Sequence, residues 1–182
     1  ARGLNSGTIQ DGAGNNAILT LAAPGETNSL AGNADIVLDG TIPYLTSVNS
    51  GLSNGHYNEG DVIPIQVNFS EQMAVTGSPQ LSLEFGDIDY PATYNSGSGS
   101  NQLIFNYTVL AGNMSNDLDY SNTSSLSLNG GTITDIAGNA AVVTLPAPGE
   151  TNSLGANKAI VIDTESPTIT SVTSSAIDGT YK

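Results

Sequence analysis

The sequence has no cysteine, no tryptophan, one histidine, and only 3 Lys+Arg against 17 Asp+Glu. Without cysteine there is no disulfide framework, no thiolate zinc site and no cysteine nucleophile. The shortage of basic residues excludes a nucleic-acid partner, whose phosphates need Lys and Arg clusters. It also disfavours docking on anionic membrane surfaces. Only 11 % of the 182 residues are charged, so the net charge of −14 arises because cations are nearly absent. No apolar run approaches the roughly 18 residues of a membrane span, and no membrane insertion is expected. The first residues, Ala1-Arg2-Gly3-Leu4-Asn5, have no apolar core of a signal peptide. The chain therefore reads as an internal piece of something larger. The one histidine, His56, lies in Ser53-Asn54-Gly55-His56-Tyr57, which reads as a polar turn. That leaves a Ser-His-Asp triad with little to work with, and no enzyme is expected.

What the sequence does contain is a repeat. GTIQDGAGNNAILTLAAPGETNSL begins at Gly7, and GTITDIAGNAAVVTLPAPGETNSL begins at Gly131, 124 residues later. The register continues without a gap through Asn33/Asn157, Ile36/Ile160, Asp39/Asp163, Pro43/Pro167, Val48/Val172 and Gly55/Gly179. About half of the overlapping positions are identical. A period near the size of a domain is too long for a solenoid unit. The expected organisation is a window on a tandem array. Residues 1–42 supply the late strands of one repeat, 43–166 a complete repeat, and 167–182 the first strand of the next. The boundaries fall at the links before Pro43 and Pro167, where the residue preceding proline avoids helix. Neither end piece buries enough apolar surface to fold well alone.

Alternation with period two predicts strands. Ile63, Ile65, Val67 and Phe69 form one apolar face; Leu81, Leu83 and Phe85 a second; Leu103, Phe105, Tyr107 and Val109 a third. Leu126 and Leu128, Ile133, Val142–Leu145 and Ile160–Ile162 supply further strands. Turn residues separate them at Asn54-Gly55, Ser96-Gly97-Ser98-Gly99, Asn129-Gly130-Gly131 and Gly138-Asn139. No segment carries a helical apolar stripe. Seven or eight short strands in one period predict an all-β, Greek-key β-sandwich. Pro64 should lie at an edge, at a bulge or near a strand start. The segment Pro146–Ala159 reads as a structured loop between two late strands, or as a contact surface.

Three stretches resemble bacterial Ig-like repeats of giant cell-surface adhesins. They are Val67-Asn68-Phe69-Ser70-Glu71, Asp135-Ile136-Ala137-Gly138-Asn139-Ala140-Ala141, and Ile160-Val161-Ile162-Asp163-Thr164-Glu165-Ser166-Pro167. The link Asp163–Pro167 is also similar to a cadherin inter-domain linker, without its Asn-Asp pair; the earlier copy, Asp39–Pro43, has no Glu. The resemblance implies an Ig-like fold and an exported, extended stalk at the cell surface, often stiffened by calcium.

Calcium takes six to eight oxygen ligands, and the acidic pairs Glu59/Asp61, Asp87/Asp89 and Asp117/Asp119 are candidates. In an Ig-like sandwich, Glu59/Asp61, Asp117/Asp119 and Asp163/Glu165 should gather at one pole, and Asp39, Glu71 and Asp135 at the other. Calcium at either pole would lock a junction between domains. The alternative is that these carboxylates only keep an acidic protein soluble. Asp135 has a further role as an Asx cap of the Gly138-Asn139 turn, repeated at Asp11 and Asn15.

The expected function is a non-enzymatic spacer repeat of an extracellular adhesin or surface filament, whose partners are adjacent repeats. Two alternatives stand beside it. One is a self-assembling sheath, surface-layer or filament subunit that shares strands between copies of itself. The other is a module that binds surface glycans through its loops, although aromatics are only 5 % and offer no sugar platform. An isopeptide crosslink is not required by the repeat, since Lys158 is Ala34 in the other copy. Sequons at Asn68, Asn106, Asn113 and Asn122 are expected by chance in so Asn/Ser/Thr-rich a chain.

Overall fold

The alternating run Ile63, Ile65, Val67 and Phe69 becomes the central strand of the fold. All four side chains are buried, while the residues between them stay half-exposed. The computed structural model describes residues 6–86, 88–180 and 182. It divides into two units, residues 1–39 and 40–182.

Among the described residues, the second unit holds ten strands and one helical turn. They run β1 (Leu45–Ser50), β2 (Gly55–Tyr57), β3 (Val62–Thr76), β4 (Gln80–Leu83), β5 (Tyr90–Ser96), β6 (Ser100–Thr108), β7 (Met114–Ser115), β8 (Leu126–Ser127), β9 (Thr132–Asp135) and β10 (Ile160–Asp163). The helical turn Leu154–Asn157 precedes β10. One sheet follows the order β1-β3-β6-β5-β4-β8, with β9 also paired to β3; a smaller sheet has the order β2-β10-β7. The unit is an all-β, sandwich-like fold around one apolar core. Tyr120, Phe105, Ile63, Ile65, Leu118 and Leu154 are among its largest fully buried side chains. Full burial of a Leu or Ile stabilises by ~1.5–3 kcal/mol.

The long β3 changes partners midway. Ile65 to Phe69 pair with β1 on one edge and Val62 to Asn68 with β6 on the other; past a register shift Met73 still pairs with Ser100 of β6, and Met73 to Thr76 pair with Asp135 to Thr132 of β9 in place of β1. Ser70-Glu71-Gln72 occupy the irregular stretch, which bends the strand and re-aims its side chains. Pro64 lies near the start of β3, where β1 ends by pairing Ser50 with Ile65, as its missing N–H requires. The turn Ser96–Gly99 closes the β5–β6 hairpin. Gly97 there has φ +108°, and a Cβ on it would sit 2.2 Å from the Gln102 carbonyl oxygen.

Several local expectations change. Ser53–Tyr57 is not a free polar turn: β2 pairs in parallel with β10, with Gly55 opposite Ile160. Val142–Leu145 forms no strand. It is extended, bridged to Tyr44, and held by Val142 N donating to Pro43 O and Leu145 N donating to Thr123 O. Its apolar residues look like a strand in sequence, but only Leu145 of the four is buried. β5 was not among the expected strands: its burial alternates, with Ala92 buried, Tyr90 and Tyr94 half-buried and Pro91 and Thr93 exposed, but its inward residues include no large aliphatic side chain.

The first unit contains the helical turn Leu30–Asn33 and an antiparallel bridge between Gln10 and Asn16. No residue from 7 to 38 other than Ser29 is buried.

Candidate functional site

The bend of β3 places two acidic residues together. Glu71 lies in the irregular stretch and Asp135 ends β9 opposite Met73, so their carboxylate oxygens come within 4.8 Å of one another. Asp135 is buried, at 2 % exposure, and Glu71 is half-buried. Asp135 accepts hydrogen bonds from Asn139 N at 2.8 Å and Asn139 Nδ2 at 2.7 Å. Burial pushes its pKa up. The hydrogen bonds from Asn139, and those from Gly138 and Ala137, outweigh burial and hold the carboxyl below its ordinary value. The expected Asx cap is thus present. It has the same form at Asp11, which accepts from Asn15 N at 2.9 Å and Asn15 Nδ2 at 2.8 Å. Asp39 is the last residue of the first unit.

The carboxylates expected at the other pole have local tasks. Asp61 accepts from Asn58 N at 2.8 Å and Asp163 from Glu165 N at 3.0 Å, each fixing a turn; both are exposed, as are Glu59 and Glu165. Asp119 accepts from Tyr120 N and, across the fold, from Gly149 N at 3.0 Å. It lies so close to Gly155 that a Cβ there would be 2.9 Å from Asp119 Oδ2 and 3.5 Å from Asp117 Oδ2. Burial, and then the neighbouring Asp119 charge, raises the pKa of Asp117. Among the described residues, Glu59, Asp61, Asp117, Asp119, Asp163 and Glu165 bring no three carboxylates within 4.8 Å of one another. Asp89 is exposed, and Asp87 lies outside the described residues. His56 is the exposed central residue of β2.

Glu71 and Asp135 are hard oxygen donors of the kind calcium takes. They fit a calcium ligand set in part, as two of the carboxylates among the six to eight oxygens required.

The Pro146–Ala159 segment is pinned onto the sandwich. Ser153 and Leu154 are fully buried, Asn157 Nδ2 donates to Val48 O at 2.7 Å, and Tyr120 Oη donates to Pro146 O at 2.8 Å. Its earlier copy is different. Leu21, Leu30, Ile36 and Leu38 line an open apolar groove of about 640 Å³ in the first unit. They are 89 %, 74 %, 58 % and 93 % exposed. Residue-by-residue reasoning about charge did not find this surface. The repeat itself was the signal, because Leu145, Leu154, Ile160 and Ile162 stand at the same positions and are buried.

No family model, curated protein or solved structure matches the chain.

Proposed function

We propose that the protein is a non-enzymatic spacer: an Ig-like repeat of an extended bacterial surface protein, exported and joined end to end with further repeats. One observation supports this above the others. The block 7–39 recurs at 131–163 with the same turns, caps and helical turn, and in the second copy it supplies the closing strand and edge segments of a β-sandwich. A block reused at a domain-sized spacing suits an array in which each unit repeats the last.

Calcium belongs to this reading as the ion that would stiffen a junction, with Glu71 and Asp135 among its ligands. Thermal melts at about 5 mM calcium and in EDTA test it, since an ion bound only by the folded state raises the melting temperature. The expected result is a higher melting temperature with calcium, abolished by Glu71→Gln. Identical melts would remove calcium from the reading and leave the spacer.

The spacer is tested by lengthening the chain by one further 124-residue period. Calorimetry should gain one further cooperative unfolding enthalpy, and small-angle scattering one further unit of length. A lengthened chain that gains neither overturns the reading.

A further inference from the structure

Asn-Gly occurs twice in the chain, at Asn54-Gly55 and at Asn129-Gly130. Glycine has no Cβ to keep a preceding asparagine side chain away from the backbone nitrogen that follows it. The fold treats the two pairs differently. Gly55 lies in β2, where its N donates to Ala159 O at 3.1 Å, and Asn54 Oδ1 accepts from Ala159 N at 3.2 Å. The backbone nitrogen and the side-chain carbonyl are thus both engaged, next to the β2–β10 pairing. Asn129-Gly130 instead forms an exposed tip between β8 and β9. Gly131 N donates to Leu128 O at 2.8 Å, which closes a four-residue turn around the pair. Among the described residues, Gly130 N donates to no acceptor. The Asn129 side chain makes one bond, from Nδ2 to Ser78 O at 3.2 Å.

Asn129 has φ 48° and Gly130 φ 76°. Positive φ at both central residues makes a type I′ turn. A type II′ turn keeps the positive φ of the first residue and reverses that of the second, so turning over the one peptide plane between Asn129 and Gly130 interconverts the two. Glycine at the second position takes either sign of φ without steric cost. Space allows the turnover too, since no atom lies within 4 Å of where a Gly130 Cβ would stand. In the type I′ form Gly130 N points away from the Asn129 Cβ. In the type II′ form it lies on the same side, where a five-membered ring with Cγ can close.

We propose that Asn129 is a site of spontaneous self-modification, converted through a cyclic imide to aspartate and isoaspartate, while Asn54 is protected by its strand. Gly130 N gives its proton to hydroxide and attacks Asn129 Cγ. The N–Cγ bond forms, the Cγ–Nδ2 bond breaks, and Nδ2 takes up a proton and leaves as ammonia. Water then opens the imide at either carbonyl. Addition at Cγ breaks the new N–Cγ bond and gives aspartate. Addition at the backbone carbonyl carbon breaks the original peptide bond and gives isoaspartate, whose main chain runs through Cβ. Neither path needs an oxidant or an enzyme, and water reaches the exposed turn. Each event adds one negative charge to an already acidic chain and removes the donor that Ser78 O accepts from.

The inference is independent of the spacer reading. Its test holds the whole folded chain at about pH 8 and about pH 5 and follows both Asn-Gly sites by peptide mass spectrometry. Aspartate and isoaspartate should accumulate at position 129, and faster at the higher pH, because Gly130 N must lose its proton. Conversion at position 54 should be slower by about tenfold or more, since two hydrogen bonds must open first. In concentrated urea the two sites should convert at similar rates. Gly130→Ala should slow conversion at 129 at least about tenfold, because alanine resists the positive φ and its Cβ shields the nitrogen; the melting temperature checks that the variant folds. Asn129→Gln serves if it does not fold: its ring would be six-membered, and the new negative charge seen by anion exchange should disappear. Three results overturn the proposal. They are an intact Asn129 in the folded chain after a time that converts both sites in urea, equal rates at 54 and 129 in the folded chain, or aspartate at 129 without isoaspartate, which means direct hydrolysis and no imide.

Discussion

Residues 7–39 and 131–163 share a sequence pattern and local hydrogen bonds, yet differ in burial. In both, an Asp caps the turn with an Asn four residues on, and Ala17 or Ala141 N donates back to Ile9 or Ile133 O. In both, Ser29 or Ser153 caps a helical turn through its Oγ. Leu30 is nevertheless 74 % exposed and Leu154 fully buried. Local geometry here follows from bonds spanning five or fewer residues in most cases. Burial follows from strands 50 to 110 residues away. The local conformation of the block is thus the same whether its apolar side chains are buried or exposed.

The largest expected break in this comparison is a leucine truncation. Leu154→Ala should destabilise the second unit by ~2–5 kcal/mol, the range for cavities in a packed core. Leu30→Ala should change stability by less than ~0.5 kcal/mol, as at an exposed site. Paired urea titrations measure both. Equal costs would mean that residue 30 is packed in solution.

A smaller effect is expected where the copies differ by one methyl group. Position 155 is Gly and position 31 is Ala. Gly155→Ala would place a Cβ 2.9 Å from Asp119 Oδ2. The carboxylate must shift, which weakens its bond to Gly149 N. The expected loss is ~1–2 kcal/mol, at the lower end of overpacking costs. Ala31→Gly meets no such contact and costs at most the helix-propensity difference of ~1 kcal/mol, confined to its own turn. Melting temperatures of the two variants compare them.

The smallest effect is one of pH. The hydrogen bonds of Asp11 and Asp135 hold both carboxyls below the ordinary value of 3.8. For Asp11 the Asn15 side chain is the main cause; for Asp135 burial opposes the Asn139 bonds and loses to them. A depressed pKa means that the folded form prefers the carboxylate. Its contribution is therefore present above about pH 4 and is lost as the pH falls through the lowered pKa. NMR titration should find both groups more than half ionised at pH 3.8. Only Asp135 should couple to melting of the sandwich, because only its turn packs against β3. If the parent loses no more melting temperature than Asp135→Asn as the pH falls from about 5 through the lowered pKa, that assignment fails.

Much of the fold was legible because buried strands advertise themselves by alternation. β3, β4, β6 and β10 fall where Ile63–Phe69, Leu81–Leu83, Leu103–Tyr107 and Ile160–Ile162 placed them. β2 was not legible, because Gly55 and His56 have no apolar face and gain strand geometry only by pairing with β10. Val142–Leu145 erred the other way, since β-branched residues also favour an extended segment that lies over a sandwich without joining it. Among the acidic residues, sequence placed the Asp135 cap, which is local. It did not reveal that Asp119 reaches Gly149, 30 residues on, and lies against Gly155.

By itself, the sequence determined the 124-residue repeat, the turns at Asp11 and Asp135, and the all-β class. These need only neighbours along the chain, and side chains of the right size and polarity at alternate positions. Tertiary structure alone decided that the second copy is buried and which partners β3 changes between, and it brings Glu71 beside Asp135, two residues that the sequence had grouped at one pole. Those outcomes depend on where distant strands return. Local hydrogen bonding leaves that open, and burial of the shared core fixes it.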